Sequence, residues 1–287
     1  MTVIALIFYN GGVLVVADSR TTMIRTYSPD GVNVKVDIRY DDTAKKIELS
    51  KDKDLAVAMA GDAEVDTTAA KAIVTECEDI LKKQDATSNK KAEDRINNSV
   101  ENLVDYGQAG LLIAFRDEDG NVRTLSADIV PPSSWGSQSG STKIKEVKKS
   151  TARGTDNTVP VYLDNLLSKN CPDSNQRSLA DAMAIAFMLE SKYMKYQVDI
   201  YGKKAIVVGG PIKMHSVDDD KKNDINATVD KAERTRLEGM TYKQLRDYFA
   251  DKIQNQQYNA NMLRKDPTAK ERITDLSKIK EPWEIKW

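Results

Sequence analysis

The sequence predicts an α+β fold in four layers, helices over sheet over sheet over helices, with a helical extension at its C-terminal end. Three observations lead there. Strand-like and helix-like segments come in separate blocks, in the order strands, two helices, strands, two helices, strand. Segregated blocks favour antiparallel sheets with helices packed on their outer faces. The 287 residues are 40% hydrophobic and 30% charged, which suits a water-soluble chain with a sizeable core. The longest apolar runs, such as Val13–Ala17 and Leu55–Ala60, fall far short of the roughly 20 residues a membrane-spanning helix needs.

Val3–Tyr9 is an apolar run rich in β-formers. Asn10-Gly11-Gly12 follows as a hairpin turn, because Asn and Gly tolerate positive φ. Val13–Ala17 is the returning strand and ends at Asp18-Ser19-Arg20. The strict alternation Val32-Asn33-Val34-Lys35-Val36-Asp37-Ile38 predicts a half-exposed strand, one arm of a projecting hairpin. Lys46–Leu49 and Leu55–Ala60 form another pair around a Ser-Lys-Asp-Lys-Asp turn, closed by Gly61.

Asp62–Lys83 carries Val65, Ala69, Ile73, Cys77 and Ile80-Leu81 at helical spacing, and Asp94–Tyr106 carries Ile96, Val100, Leu103 and Val104 in the same way. Strands return at Gly110–Phe115 and Val122–Ile129, joined by the turn Asp117-Glu118-Asp119-Gly120-Asn121. Residues 131–151, rich in Pro, Ser, Gly and Lys, read as a loop. Val159–Leu167 and Leu179–Tyr196 read as helices, the second opened by Ser178 with Asp181 three residues on, a near capping box. Lys204–Val208 reads as the last strand, stopped by Gly209-Gly210-Pro211. From Ser216 the composition turns polar. The charge run Asp218-Asp219-Asp220-Lys221-Lys222 precedes two helix-like segments, Ala227–Leu237 and Tyr242–Tyr258, whose apolar faces are thin (Leu245, Tyr248, Phe249, Ile253). Two of the three tryptophans, Trp283 and Trp287, stand in the closing segment. The expected organisation is a domain over residues 1–215 and a polar helical extension over 216–287 that serves assembly.

Rare residues exclude whole classes of chemistry. Lys and Arg number 43 against 44 Asp and Glu, a net charge of −1, so no basic field exists to hold nucleic acid or anionic lipid. His215 is the only histidine, which leaves a Ser-His-Asp site or a two-histidine zinc site almost nothing to build on. Cys77 and Cys171 are the only cysteines, too few for a disulfide framework and expected as free thiols in a reducing cytoplasm. No charged n-region with a long apolar stretch suggests a secretory signal. No cofactor or metal is expected. A hydrolase built on this chain needs a base other than histidine.

Thr2 can supply one. Once Met1 is removed, its α-amine has an intrinsic pKa of about 7.7–8.0 and is substantially neutral near pH 7. A threonine whose hydroxyl is deprotonated by its own amine is a nucleophile and a base in one residue.

The residues that follow carry a resemblance. Thr2-Val3-Ile4-Ala5-Leu6, then Gly11-Gly12-Val13-Leu14-Val15-Val16-Ala17-Asp18-Ser19-Arg20-Thr21-Thr22, resembles the N-terminus of proteasome β-type subunits, a branch of the N-terminal nucleophile (Ntn) hydrolases. Thr43-Ala44-Lys45-Lys46-Ile47 is similar to that family's lysine-bearing strand, and Ala58-Met59-Ala60-Gly61-Asp62-Ala63 to its strand-to-helix corner. The resemblance covers about residues 1–212, strongly to residue 66, and marks a divergent member.

It implies the Ntn four-layer αββα sandwich and a set of roles. Thr2 is the implied nucleophile and Lys46 the implied ammonium that stabilises its alkoxide. Asp18 is the implied partner that orients the lysine; an ordinary strand-end ion pair is the alternative. Lys45 should point to the opposite face, since strand side chains alternate. The backbone N–H of Gly61 matches the oxyanion donor, or serves only a turn that needs glycine. Thr22 matches a backbone position that pairs with an extended substrate. Met59 and Ala63 match pocket-lining positions and read equally well as core. Gly154-Thr155-Asp156 stands where the family has Gly-Ser-Gly, so Thr155 takes the serine's place, and Asp199 is the match for a later aspartate. The segment between Asp18 and Lys46 is longer than usual, and the tail after 216 has no counterpart.

The implied activity is that of a threonine-type amidohydrolase, a self-compartmentalising endopeptidase acting on peptide or protein substrates. Its implied partners are further copies of itself in a ring and an ATP-dependent unfoldase. Two alternatives stay open on the sequence: a dedicated single-substrate amidase or transpeptidase, and an inactive assembly protein that keeps the fold.

Overall fold

The computed structural model describes residues 2–28, 35–51, 53–61, 75, 92–101, 109–117, 119–130, 140–154, 157–200, 202–220 and 224–265. Its strands are β1 (Ile4–Tyr9), β2 (Gly12–Ala17), β3 (Thr21–Tyr27), β4 (Lys35–Asp41), β5 (Ile47–Leu49), β6 (Leu55–Gly61), β7 (Ala109–Arg116), β8 (Val122–Val130), β9 (Ser141–Glu146), β10 (Thr151–Arg153), β11 (Gln197–Ile200), β12 (Lys203–Ile206), β13 (Ile212–Asp218) and β14 (Asn226–Val229). Its helices are α1 (Ala92–Glu101), α2 (Thr158–Asn170), α3 (Leu179–Tyr193), α4 (Lys231–Leu237) and α5 (Tyr242–Lys265).

The β1–β2 hairpin forms as its sequence requires. Two apolar runs flank Asn10-Gly11, and Gly11 takes the positive φ of +92° that the turn needs. The register runs from Ile4 opposite Ala17 to Tyr9 opposite Gly12. This hairpin is the middle of a five-stranded antiparallel sheet ordered β10-β1-β2-β13-β14. A second five-stranded sheet is ordered β5-β6-β7-β8-β9, and two separate hairpins, β3-β4 and β11-β12, complete the strands.

Alternation along the strands builds three apolar clusters. Ile4, Leu6, Val13 and Val15 of the first sheet meet Ala56, Ala58, Leu112 and Ala114 of the second, so the two sheets pack face to face. The other face of the first sheet, through Val3, Ala5, Ile7, Leu14 and Val16, packs with Leu163 of α2, Met183 and Phe187 of α3, and Phe249 of α5. The far face of the second sheet, through Val57, Met59, Leu111 and Ile113, packs with Ile96 and Val100 of α1. The fold is thus mixed α and β, with antiparallel sheets. The helix expected over Asp62–Lys83 lies, except for Thr75, outside the described residues.

The structure corrects the expected organisation at its C-terminal half. The boundary near residue 216 falls inside β13, which pairs with β2 along its whole length from Lys213 opposite Ala17 to Asp218 opposite Gly12. Ala227 and Val229 of β14, Leu237 of α4 and Leu245 and Phe249 of α5 are buried in the same cluster as β1 and β2. Strands β13 and β14, α4 and the first turns of α5 therefore help to build the main core. The polarity of β13 hid it: His215, Ser216 and Asp218 are all buried, and two of them are satisfied locally. Ser216 Oγ accepts from Ile225 N at 2.7 Å, and Asp218 accepts from the Tyr9 hydroxyl at 3.1 Å. The loop read over 131–151 likewise contains β9 and runs into the first residue of β10. They are edge strands in which Ala152 alone is buried. The segment read as a helix from Ala227 begins instead with β14.

Candidate active site

Where β2 runs out, Asp18 turns into the protein and is completely buried. Its two oxygens take four donors. Oδ1 accepts from Val3 N at 3.1 Å and Lys46 Nζ at 3.0 Å; Oδ2 accepts from Arg20 N at 3.1 Å and Gly209 N at 3.2 Å. Such a carboxylate is fixed in position and orients what it binds. Lys46, only 5% exposed, spans from it to the nucleophile candidate, donating to Thr2 Oγ1 at 2.5 Å. The carbonyl of Lys46 accepts from Met59 N at 3.0 Å, which ties the lysine to β6. Lys45, one residue back, is exposed. A buried ion pair is tolerable only when further hydrogen bonds satisfy both ends, and these do.

Thr2 itself is 4% exposed. Its carbonyl lies against Gly154. A Cβ on Gly154 would stand 3.0 Å from that oxygen and 2.6 Å from Val159, so only glycine fits there. Thr155, the residue matched to the supporting serine, lies outside the described residues, as do Met1 and Ala63.

Of the remaining sequence candidates, Gly61 ends β6, opposite Ala109, and is exposed. Thr22 lies near the start of β3, opposite Tyr40, and its hydroxyl donates to the carbonyl of Val207 at 3.3 Å. Met59 is completely buried in the cluster on the far face of the second sheet, which makes it core rather than a pocket wall. Asp199 is not brought to the site. It is exposed on β11 and accepts from Gly202 N at 2.8 Å, holding the β11–β12 turn.

Three neighbours of this cluster received no role in the sequence reading. Glu190, on α3, is completely buried, and neither of its carboxyl oxygens has a hydrogen-bond partner among the described residues. Burial pushes this carboxyl well above the ordinary range. The charge of Asp18 pushes the same way and that of Lys46 opposes it. A lone acid at the end of the run Ala182-Met183-Ala184-Ile185-Ala186-Phe187-Met188-Leu189 was the available signal. Arg20 and Gly209 are the second and third. Arg20 makes a two-pronged pair with Asp42, at 2.6 and 2.9 Å, and donates to the carbonyl of Ile206 at 3.0 Å. A Cβ on Gly209 would meet the Arg20 guanidinium at 2.5 Å. The close approach of arginine and glycine brings the Gly209 amide onto Asp18.

His215 sits elsewhere, in β13, with Nε2 3.4 Å from the carbonyl of Lys53. Burial holds its pKa down at about 4. Among the described residues, no group of three or more His, Cys, Asp or Glu could hold a metal ion, and no helix is long and apolar enough to cross a membrane.

No protein-family profile matches the chain, and no curated protein sequence matches it. Solved structures do. An Anbu mutant from Hyphomicrobium sp. strain MC1 superimposes with a TM-score of 0.50 at 14% identity, covering 89% of this chain and 96% of that one. Anbu from Yersinia bercovieri, described as an ancestral β-subunit, gives 0.51 at 12% identity, covering 88% of this chain and 95% of that one. At such identities the likeness concerns the fold, which is proteasome-like.

Proposed function

We propose that this chain is an N-terminal threonine amidohydrolase with the four-layer αββα architecture of the Ntn hydrolases. One observation carries the reading. Lys46 donates to the hydroxyl of Thr2, at 2.5 Å, and the lysine is held there by a buried Asp18 at 3.0 Å. An ammonium donating to a hydroxyl oxygen stabilises the alkoxide that forms when the proton leaves. With Met1 removed, the α-amine of Thr2 takes that proton. Thr2 Oγ1 attacks an amide carbonyl, the amine of the leaving half departs with a proton, and water cleaves the resulting ester. The Gly61 amide is the proposed oxyanion donor. Peptide or protein is the proposed substrate, and a homo-oligomer in the cytoplasm, fed by an ATP-dependent unfoldase, is the proposed working form.

The test uses protein lacking Met1 and a fluorogenic peptide amide, with the acyl-enzyme sought by intact mass. Thr2→Ala abolishes acylation and turnover. Lys46→Ala lowers the rate by about 10²–10³, as removal of one electrostatic stabiliser does, while Lys45→Ala leaves it near the parent value. Turnover that survives Thr2→Ala, or acylation at another residue, overturns the assignment.

A further inference from the structure

The two sheets must hold a fixed separation at the site, because Thr2 belongs to the first and Gly61 to the second. At this end polar side chains join Ile4, Ala17 and Ala60 of the apolar cluster between them. Alternation turns Ala152 of β10 into the outer cluster of the first sheet and Arg153 toward the second sheet. Likewise Leu125, Ala127 and Ile129 of β8 face the far cluster, so Ser126 and Asp128 face inward. The Arg153 guanidinium crosses the gap and donates one nitrogen to Asp128 and another to Ser126. The same side chain lies over β7. A Cβ on Gly110 would stand 2.8 Å from its Nη1 and 3.6 Å from the carbonyl of Ala60. Gly110 is opposite Ala60, the residue before Gly61.

We propose that Arg153 is the positioning residue of this site, a clamp that sets the distance between the Thr2 hydroxyl and the Gly61 amide. It rests on the functional reading above. Its backbone is one residue from Gly154, which touches the Thr2 carbonyl, and its guanidinium is anchored beside the strand end that carries Gly61. Both halves of the site are thereby referred to one side chain. A forked guanidinium suits the task because it fixes direction as well as distance. The pair is partly sheltered, with Arg153 22% and Asp128 48% exposed, and the arginine holds the Asp128 carboxyl below the usual range. Gly110 is glycine because the guanidinium occupies the place of its side chain.

The experiment compares Thr2 acylation by an activated peptide ester in the parent chain, Arg153→Met, Arg153→Lys and Gly110→Ala. Arg153→Met keeps the stem and removes the fork. It lowers kcat by up to about 10²-fold with KM unchanged, the scale of a small misplacement of reacting groups. Gly110→Ala, whose methyl displaces the guanidinium, reproduces the loss, and Arg153→Lys recovers part of it. Parent-like kcat in both Arg153→Met and Gly110→Ala overturns the clamp and leaves the functional reading standing. A parent chain in which Thr2 is never acylated overturns the functional reading. The clamp is decided separately by a crystal structure of Arg153→Met: the gap between Gly154 and Gly110 changes if the clamp exists, and an unchanged gap overturns it.

Discussion

A carboxyl group that is fully buried beside another carboxylate, with no donor to stabilise its charge, keeps its proton. Among the described residues Glu190 is in that position, and the charges of Asp18 and Lys46 reach it. The sign of its pH effect follows. Its folded-state pKa lies above the unfolded value, so its contribution is fully present in acid and is lost as the pH rises through the folded value. Glu190→Gln, which keeps the shape without the charge, therefore melts at the same temperature as the parent at pH 4 and at a higher temperature at pH 8. Thermal scans across that range check it, and a parent chain that melts higher at pH 8 refutes it. The contact of Thr2, Lys46 and Asp18 was legible in the sequence because each stands in a block that resembles the family's, in the same order, although the segment between Asp18 and Lys46 is longer than usual. Glu190 was not, because an acid near the end of a helix ordinarily faces water. Asp199 was chosen because a glycine follows it shortly, as in the family's later aspartate segment, and in the β11–β12 hairpin it sits at the surface, accepting from that glycine.

Single elements were legible where local chemistry decides them. Ser178 and Asp181 signalled the start of α3, and the structure closes the reciprocal box there. The Asp181 backbone donates to Ser178 Oγ at 3.2 Å, and Ser178 N donates to Asp181 Oδ2 at 2.9 Å. What the spacing did not reveal is a second duty. Asp181 Oδ1 also accepts from the Tyr242 hydroxyl at 2.5 Å, so one carboxylate joins the first turns of α3 and α5. Asp181→Ala accordingly loses the reciprocal half of the capping box and the helix-to-helix bond together, while Ser178 still caps the backbone. It costs about 2 kcal/mol, about 1 kcal/mol for each hydrogen bond, whereas Tyr242→Phe, which spares the box, costs about 1 kcal/mol. Urea unfolding of both variants checks the ranking, and equal costs would refute the double role. Edge strands β9 and β10 escaped the sequence reading for the opposite reason. They are short or polar, and β1, the partner of β10, lies far away along the chain.

At the scale of the molecule, composition misled where topology decides. The polar stretch after residue 216 looks like an appendage because its helices have thin apolar faces and a charge run precedes them. In the fold, β13 is the neighbour of β2, with β14 beyond it, and Phe249 of α5 packs against Phe187 of α3 with ring centroids 6.4 Å apart. Thin faces suffice when an existing sheet and helix layer receives them. A chain ending at Ser216 would keep only part of β13, leave the Gly12–Val13 end of β2 unpaired on that edge and uncover the outer apolar cluster of the first sheet. It is expected to be unfolded or insoluble. A chain ending at Lys265 keeps every buried residue of α4 and α5 named here and is expected to fold, with a cooperative thermal transition near that of the full chain. Circular dichroism with light scattering distinguishes the cases. A folded chain ending at Ser216 would restore the two-domain division, and an unfolded chain ending at Lys265 would show that residues 266–287, with Trp283 and Trp287, stabilise the core. A folded chain ending at Lys265 with a smaller mass than the full chain would narrow the assembly role expected of the extension to those last residues.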